Sequence, residues 1–295
     1  MPLLAGPDDA VAATAAVQVV NTLGNALGPL ICAPLLLVVS AIEIMLFNGI
    51  TFVINALILT RVPLRTQTHS RKEHVRAWPN LIADIRAGLR TVARDRIVSR
   101  LLVLIVLLFF IAALQNVGQP VLVLGKLHGS SSTYSFLIMV NEIGFAVGTV
   151  FCPSDATLST LLRRFQTAMF VMALAAAGYA LAGTAWLTAV PFLLAGIGNT
   201  IIVVVAFTIY VKVTSGEFLG RIYGVHTTSA NAAIVASFAV SGPIIGALGV
   251  REAFRLEAVG IAAALILGII LLRPFIGGSL PAGADLPAPA AVEER

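Results

Sequence analysis

The chain has 295 residues, of which 58% are apolar and only 11% are charged. Soluble domains carry about 25% charged residues, so this sequence could not cover a surface exposed to water. The net charge of +5 does not indicate nucleic-acid binding, because the basic residues lie in the gaps between apolar runs. The composition predicts a membrane protein whose partner is the lipid bilayer.

Eight apolar runs approach or exceed the roughly 20 residues that a membrane-spanning helix needs. They cover residues 12–39, 42–62, 98–124, 133–152, 165–184, 186–211, 224–248 and 253–272. Most of the connections between them are very short, which favours antiparallel neighbours. The predicted fold class is therefore an all-α polytopic membrane protein with about eight transmembrane helices.

Two further stretches do not span. Residues 63–97 form a basic linker whose second half carries Leu81, Ile85 and Leu89 at helical spacing. This pattern predicts either an amphipathic helix on the membrane surface or a solvated surface helix. Residues 274–295 are rich in Pro, Ala and Gly, and we expect them to be disordered.

The distribution of basic residues predicts the orientation. If alternate connections are cytoplasmic, starting with the 63–97 linker, sixteen of the nineteen Lys and Arg residues face the cytoplasm. Lys126, Arg251 and Arg255 face the other side. Cytoplasmic loops carry the excess of Lys and Arg, so we expect a multi-pass protein of the plasma membrane, here a bacterial cell membrane, with both termini in the cytoplasm.

An internal repeat divides the chain. Residues 28–33 (GPLICA) are similar to residues 242–247 (GPIIGA), and each block lies in the second half of a long apolar run that is followed by one more span. Repeats of this kind mark duplicated structural units. Residues 1–62 are therefore interpreted as the last two helices of one six-helix unit, and residues 98–273 as a complete second unit.

Three motifs carry a family resemblance. They are the fifth-helix pattern Gly24-x-x-x-Gly28-Pro29, the loop with Asp155, Arg163 and Arg164, and the loop Glu217-x-x-Gly220-Arg221-x-x-Gly224. Together with the repeat, they resemble the major facilitator superfamily of transporters, in particular the branch of the enterobactin exporter and related secretion-effector permeases. The first motif lacks the usual trailing glycine pair, which Cys32 and Ala33 replace here.

The resemblance implies a secondary active transporter of small molecules, an exporter that works by alternating access. It implies a conformational latch made of Asp155, Arg163, Arg164, Glu217, Gly220 and Arg221, with positive-inside anchoring as the alternative for the arginines. It also implies helix bends at Gly28, Pro29, Gly242 and Pro243, which either move during transport or are static kinks.

Members of the superfamily have twelve helices, whereas eight are predicted here. We therefore expect a chain without the first four helices, either because it is truncated or because a second membrane chain supplies them. The alternative hypothesis is a non-transporting membrane fragment, or a partner subunit of a full-length permease.

Polar residues within the spans indicate a substrate path. Thr14, Gln18, Asn21 and Asn25 recur on one helix face, and Asn48 with Asn55 repeats the pattern in the second span. Polar side chains in a membrane are costly, so these faces line either a water-filled path or a contact with another helix. Gln115 and Asn116 in the third span are further candidates for the path.

Glu142 lies near the middle of the fourth predicted span. An unpaired carboxylate at that depth would be neutralised, because desolvation disfavours the charged form. The functional hypothesis is that Glu142 carries protons for coupled antiport. The alternative is a neutral glutamic acid hydrogen-bonded to Gln115 or Asn116 of another helix.

Other chemistries lack support in the sequence. The four histidines are scattered and have no metal-ligand spacing, and the two cysteines lie 120 positions apart. No phosphate-binding loop or catalytic triad signature is visible. We therefore expect no metal, no cofactor and no enzymatic activity.

Overall fold

The structure is a computed structural model, and it describes residue 35 and residues 39–61, 92–93, 95–152, 156–214 and 216–276. Within these ranges every regular element is helical. Six helices are long and apolar enough to cross a membrane; they cover Arg96–Lys126, Ser131–Val150, Leu158–Leu181, Trp186–Val213, Gly220–Leu248 and Val250–Ile276. This confirms an all-helical protein of the polytopic membrane type. The predicted run 12–39 and most of the 63–97 linker lie outside the described residues.

Helix α1 (Ala41–Arg61) covers the second predicted span. A capping box begins it: Ser40 Oγ accepts from the Glu43 backbone N–H at 3.3 Å, and Glu43 Oε2 accepts from the Ser40 N–H at 2.8 Å. Its apolar stretch, Ile42–Ile58, is shorter than those of the six long helices. Most of its large apolar side chains are more than half exposed, so they are available to lipid or to another chain.

The first of the six long helices is interrupted. Helix α2 (Arg96–Ala112) begins at Asp95, whose carboxylate accepts from the N–H groups of Ile97 and Val98. Helix α3 (Leu114–Pro120) follows, and a π-helical turn (Val121–Lys126) completes the span. The change of helix type comes directly after Pro120, which has no backbone N–H to continue the α-helical ladder.

The other five spans are α4 (Ser131–Val150), α5 (Leu158–Leu181), α6 (Ala189–Val213, preceded by a 3-10 turn), α7 (Gly216–Leu248) and α8 (Val250–Ile276). Ser130 and Thr157 cap α4 and α5 through their side-chain oxygens. Gly249 alone joins α7 to α8. Its φ of +85° is a left-handed conformation that favours glycine.

Helix packing follows the order α4, α6, α5, α8, α2 and α7, with α3 against α7 and α8. The α4–α6 contact depends on glycine. A Cβ at Gly148 would lie 2.9 Å from the Ile197 carbonyl oxygen, and one at Gly144 would meet the Leu193 carbonyl oxygen. The Gly144-x-x-x-Gly148 spacing places two small residues one turn apart, which lets the two helix backbones approach closely there.

The buried apolar side chains form two clusters along the bundle. One lies toward the ends of the spans that carry Arg96, Lys212 and Arg273, and includes Leu101, Ile105 and Ile261. The other lies toward the opposite ends and includes Leu122, Tyr179, Phe192 and Phe254. The region between the two clusters contains the polar pair described next.

Candidate functional site

A buried carboxyl group lies between the two apolar clusters. Glu257, on α8, is only 2% exposed, and its Oε1 accepts a hydrogen bond of 2.6 Å from Nε2 of Gln115, which is 7% exposed. Its Oε2 has no hydrogen-bond partner among the described residues. Buried polar atoms are nearly always paired, so this oxygen is an exception that calls for a chemical reason.

Two more polar groups continue from this pair toward the ends of the spans that carry Lys126 and Val250. Gln119, one helical turn after Gln115, donates from Nε2 to the Tyr179 hydroxyl at 2.8 Å. Tyr179 is fully buried, and its ring packs on Phe254 with centroids 4.9 Å apart. Gln115 and Gln119 therefore lie on the same face of α3, because residues four apart in a helix are neighbours.

At the other end of the bundle, Tyr210 and His226 form a buried contact. The Tyr210 hydroxyl lies 3.2 Å from Nδ1 of His226, which is 5% exposed. The ring of Phe207 lies 4.9 Å from the His226 ring and 4.8 Å from that of Tyr223. This cluster joins the end of α6 to the beginning of α7.

Three arginines connect helix ends, each by donating to a main-chain carbonyl. Arg164 bonds Phe151 at 2.6 Å, Arg100 bonds Leu271 at 2.8 Å, and Arg251 bonds Ala182 at 2.9 Å. Phe151 and Ala182 are helix C-caps, where carbonyl groups lack intrahelical partners and cations interact favourably with the helix dipole. These contacts therefore fasten α4 to α5, α2 to α8, and α5 to α8.

The latch residues have separate environments. Arg164 fastens the end of α4, while the adjacent Arg163 is exposed. Arg221 and Gly220 are exposed at the beginning of α7, and no atom lies within 4 Å of a Cβ built at Gly220. Asp155 lies outside the described residues, as does the side chain of Glu217. The latch remains a hypothesis from the resemblance.

The residues predicted to line the substrate path differ in their exposure. Thr14, Gln18, Asn21 and Asn25 lie outside the described residues, together with the predicted bend at Gly28 and Pro29. Asn48 and Asn55 are exposed on α1, and Asn116 is exposed on α3. Gln115, by contrast, is buried against Glu257 and so contributes to the packing between α3 and α8.

Glu142 is partly buried on α4, and no hydrogen bond or ion pair of its side chain is found within the described ranges. The partner proposed for it, Gln115, bonds Glu257 instead. Asn116 makes a 3.4 Å contact with the Ala113 carbonyl of its own segment. Helix α7 continues through Gly242 and Pro243.

Glu257, Gln119 and Tyr179 were not predicted from the sequence as site residues. Glu257 follows Arg251, Glu252 and Arg255, and so resembles the charged end of a span. The available signal was its position: seven residues after Val250 place it about 10 Å along α8, at a rise of about 1.5 Å per residue. At that depth an acidic residue is a candidate functional group by default.

Helix α7 has one buried face and one exposed face. Its buried residues recur every three or four positions and are Ile222, His226, Ala230, Ala233, Ser237 and Ser241. The opposite side is exposed and includes Thr227, Thr228 and Asn231, all within the Gly220–Leu248 span. The side chain of Asn231 makes no hydrogen bond in the part of the chain that the structure describes.

No model of a protein family, no curated protein and no solved structure matches this chain.

Proposed function

We propose that this bundle forms part of a secondary active transporter of small molecules, of the major facilitator type that the sequence motifs resemble. It works as an exporter by alternating access in the plasma membrane, with both termini in the cytoplasm. Protons supply the coupling, and Glu142 is the residue we assign to it.

The observation that carries the proposal is the exposed polar surface within the membrane-spanning region. Asn116 on α3 and Thr227, Thr228 and Asn231 on α7 are exposed, and α3 packs against α7. Lipid offers no hydrogen-bond partner to an amide, so burial of such a group in hydrocarbon costs several kcal/mol. A surface of this kind fits a water-containing path better than lipid.

Glu142 fits the coupling role because its carboxyl group lies in a span, is only partly buried and has no partner within the described residues. A group that must bind and release protons needs access to water in at least one state. The exposed residues Arg163, near the beginning of α5, and Arg221, near the beginning of α7, fit the changing contacts that alternating access requires.

Cysteine labelling tests the path. Cys32 and Cys152 are first replaced, and then Asn116→Cys and Asn231→Cys are labelled in lipid vesicles with a water-soluble maleimide. The matched control is Val259→Cys on α8, since Val259 is apolar and 67% exposed. Thiols react as thiolates, which form in water, so the two path positions should label at least about tenfold faster than the control.

Equally slow labelling of all three positions would contradict the proposal. The exposed polar surface would then face lipid or another helix, and the chain would be better described as a non-transporting membrane protein.

A further inference from the structure

We propose that Glu257 is a proton-binding site of this protein, in addition to Glu142, with Oε2 as the atom that takes the proton and Gln115 as the residue that positions Oε1. The proposal goes beyond the proposed function, because a chain that binds a proton here need not transport anything.

The hydrogen-bond geometry distinguishes the two carboxyl oxygens of Glu257. Gln115 Nε2 is a donor, so Oε1 of Glu257 is the acceptor in their 2.6 Å bond. Oε1 therefore has the role of a carbonyl oxygen. Oε2 is buried and has no partner among the described residues, and it is the oxygen left to carry a proton.

Within the described residues, no cation pairs with Glu257. The ion pair that α8 forms, Arg255 with Glu252 at 2.6 Å, lies on side chains that are 57% and 51% exposed. Among the described residues, the hydrogen-bond donor to Glu257 is the neutral amide of Gln115. A buried carboxylate without a cation is strongly unfavourable, whereas a carboxylic acid satisfies the same geometry at no charge.

The neighbouring titratable groups are consistent with a neutral acid. On α5, Tyr179 is the titratable residue that interacts electrostatically with Glu257, and Tyr134 of α4 interacts in turn with Tyr179. On α3 the neighbour is Gln115, and no basic side chain of α2, α3 or α7 is recorded against Glu257 within the described ranges. Tyrosine is neutral near pH 7, so neither of these side chains supplies a positive charge.

The backbone opposite Glu257 is irregular. Gln115 lies in the short helix α3, between the break at Ala113 and the π-helical turn that begins at Val121. Departures of this kind inside a helix are frequent at functional sites. They also provide the local freedom that a hydrogen-bond partner needs when the protonation state of a carboxyl group changes.

The proposed step is simple. A hydronium ion transfers its proton to Oε2, the O–H bond of the acid forms, and a water molecule is released; the reverse step ionises the group. Toward the ends of the spans that carry Lys126 and Val250, the polar side chains of Gln119 and Tyr179 follow Glu257. In the other direction Ile105 and Ile261 are apolar and fully buried, so the proton enters from the Gln119 side.

Infrared spectroscopy of the full chain tests this at pH 7 in vesicles of an ether-linked phosphatidylcholine, which has no ester C=O group. Exposed carboxyl groups, whose ordinary pKa is near 4, are ionised there, so a buried neutral acid gives a separate C=O stretching band that shifts in deuterium oxide. Because a neutral Glu142 would add a second band, the comparison is made in the Glu142→Gln background. The band should be present in Glu142→Gln, persist when the control Glu252→Gln is added, and disappear when Glu257→Gln is added.

A second variant guards against misfolding of Glu257→Gln. Gln115→Leu keeps the carboxyl group but removes the donor to Oε1, so the band should remain and move to higher frequency, because a C=O group without a hydrogen bond vibrates faster. A wild-type spectrum without the band would overturn the proposal. So would a band that survives when Glu142→Gln and Glu257→Gln are combined, or that is unchanged when Gln115→Leu is added to Glu142→Gln.

Discussion

The glycine contact between α4 and α6 allows the sharpest test of the packing. In Gly148→Ala, the new Cβ would lie 2.9 Å from the Ile197 carbonyl oxygen and 2.9 Å from Thr200 Cβ, where ordinary contact begins at 3.4 Å. The helices must therefore separate by about 0.5 Å, and a gap of that size forfeits about a quarter of the van der Waals attraction of the atoms around it.

The expected cost follows from the same geometry. Overpacking of a close contact lowers the free energy of unfolding by about 1–3 kcal/mol. Gly144→Ala should fall at the upper end of this range, because its Cβ would meet the Leu193 carbonyl oxygen and lie 3.1 Å from Gly196 Cα. Both atoms belong to the backbone of α6, so neither can rotate away as a side chain would.

The assay is unfolding of the purified chain in mixed micelles by titration with sodium dodecyl sulfate, followed by circular dichroism. The matched control is Gly246→Ala on α7, since a Cβ there has no atom within 4 Å. Alanine favours a helix over glycine by about 1 kcal/mol, so the control should not be destabilised. If Gly144→Ala were as stable as Gly246→Ala, the close approach of α4 and α6 would be wrong.

Two further predictions concern the ends of the bundle. Arg164→Gln should lower the free energy of unfolding by about 1–2 kcal/mol, since it removes the charged donor of the 2.6 Å bond to the Phe151 carbonyl in a partly exposed position. Arg163→Gln, with an exposed side chain, should change the free energy of unfolding by less than about 0.5 kcal/mol. Equal effects of the two variants in the same detergent titration would contradict the fastening role of Arg164. Tyr210→Phe should lower the free energy of unfolding by about 1 kcal/mol, because it removes the hydroxyl group that lies 3.2 Å from Nδ1 of buried His226. Tyr223→Phe, at an exposed ring, should leave the free energy of unfolding nearly unchanged. A Tyr210→Phe variant as stable as the wild type would show that the contact with His226 contributes nothing.

The part of the fold that depends on local composition was predictable. The runs 98–124 and 133–152 correspond to Arg96–Lys126 and Ser131–Val150. Each helix begins two residues before its apolar run because the N-caps, Asp95 and Ser130, lie outside the runs. The Gly144-x-x-x-Gly148 spacing is also a local pattern that favours close packing, since small residues one turn apart permit it whichever helix is the partner.

The candidate site was predictable only in part. Glu142, the residue singled out by its central position in a span, is partly buried and has no partner within the described ranges. Glu257 was overlooked because three charged residues precede it closely. Nothing local distinguishes Gln115 from Asn116, although one is buried against a carboxyl group and the other is exposed.

The sequence by itself determined that this protein is helical and suited to a lipid bilayer, because transfer to lipid depends on the composition of about 20 consecutive residues. It also indicated where helices begin and which faces are polar, since both depend on neighbours within one or two turns. Only the tertiary structure decided that Gln115 meets Glu257, 142 positions away, and that Oε2 is left without a partner. Contacts between distant residues follow from how the helices pack and rotate against one another, which no local pattern specifies.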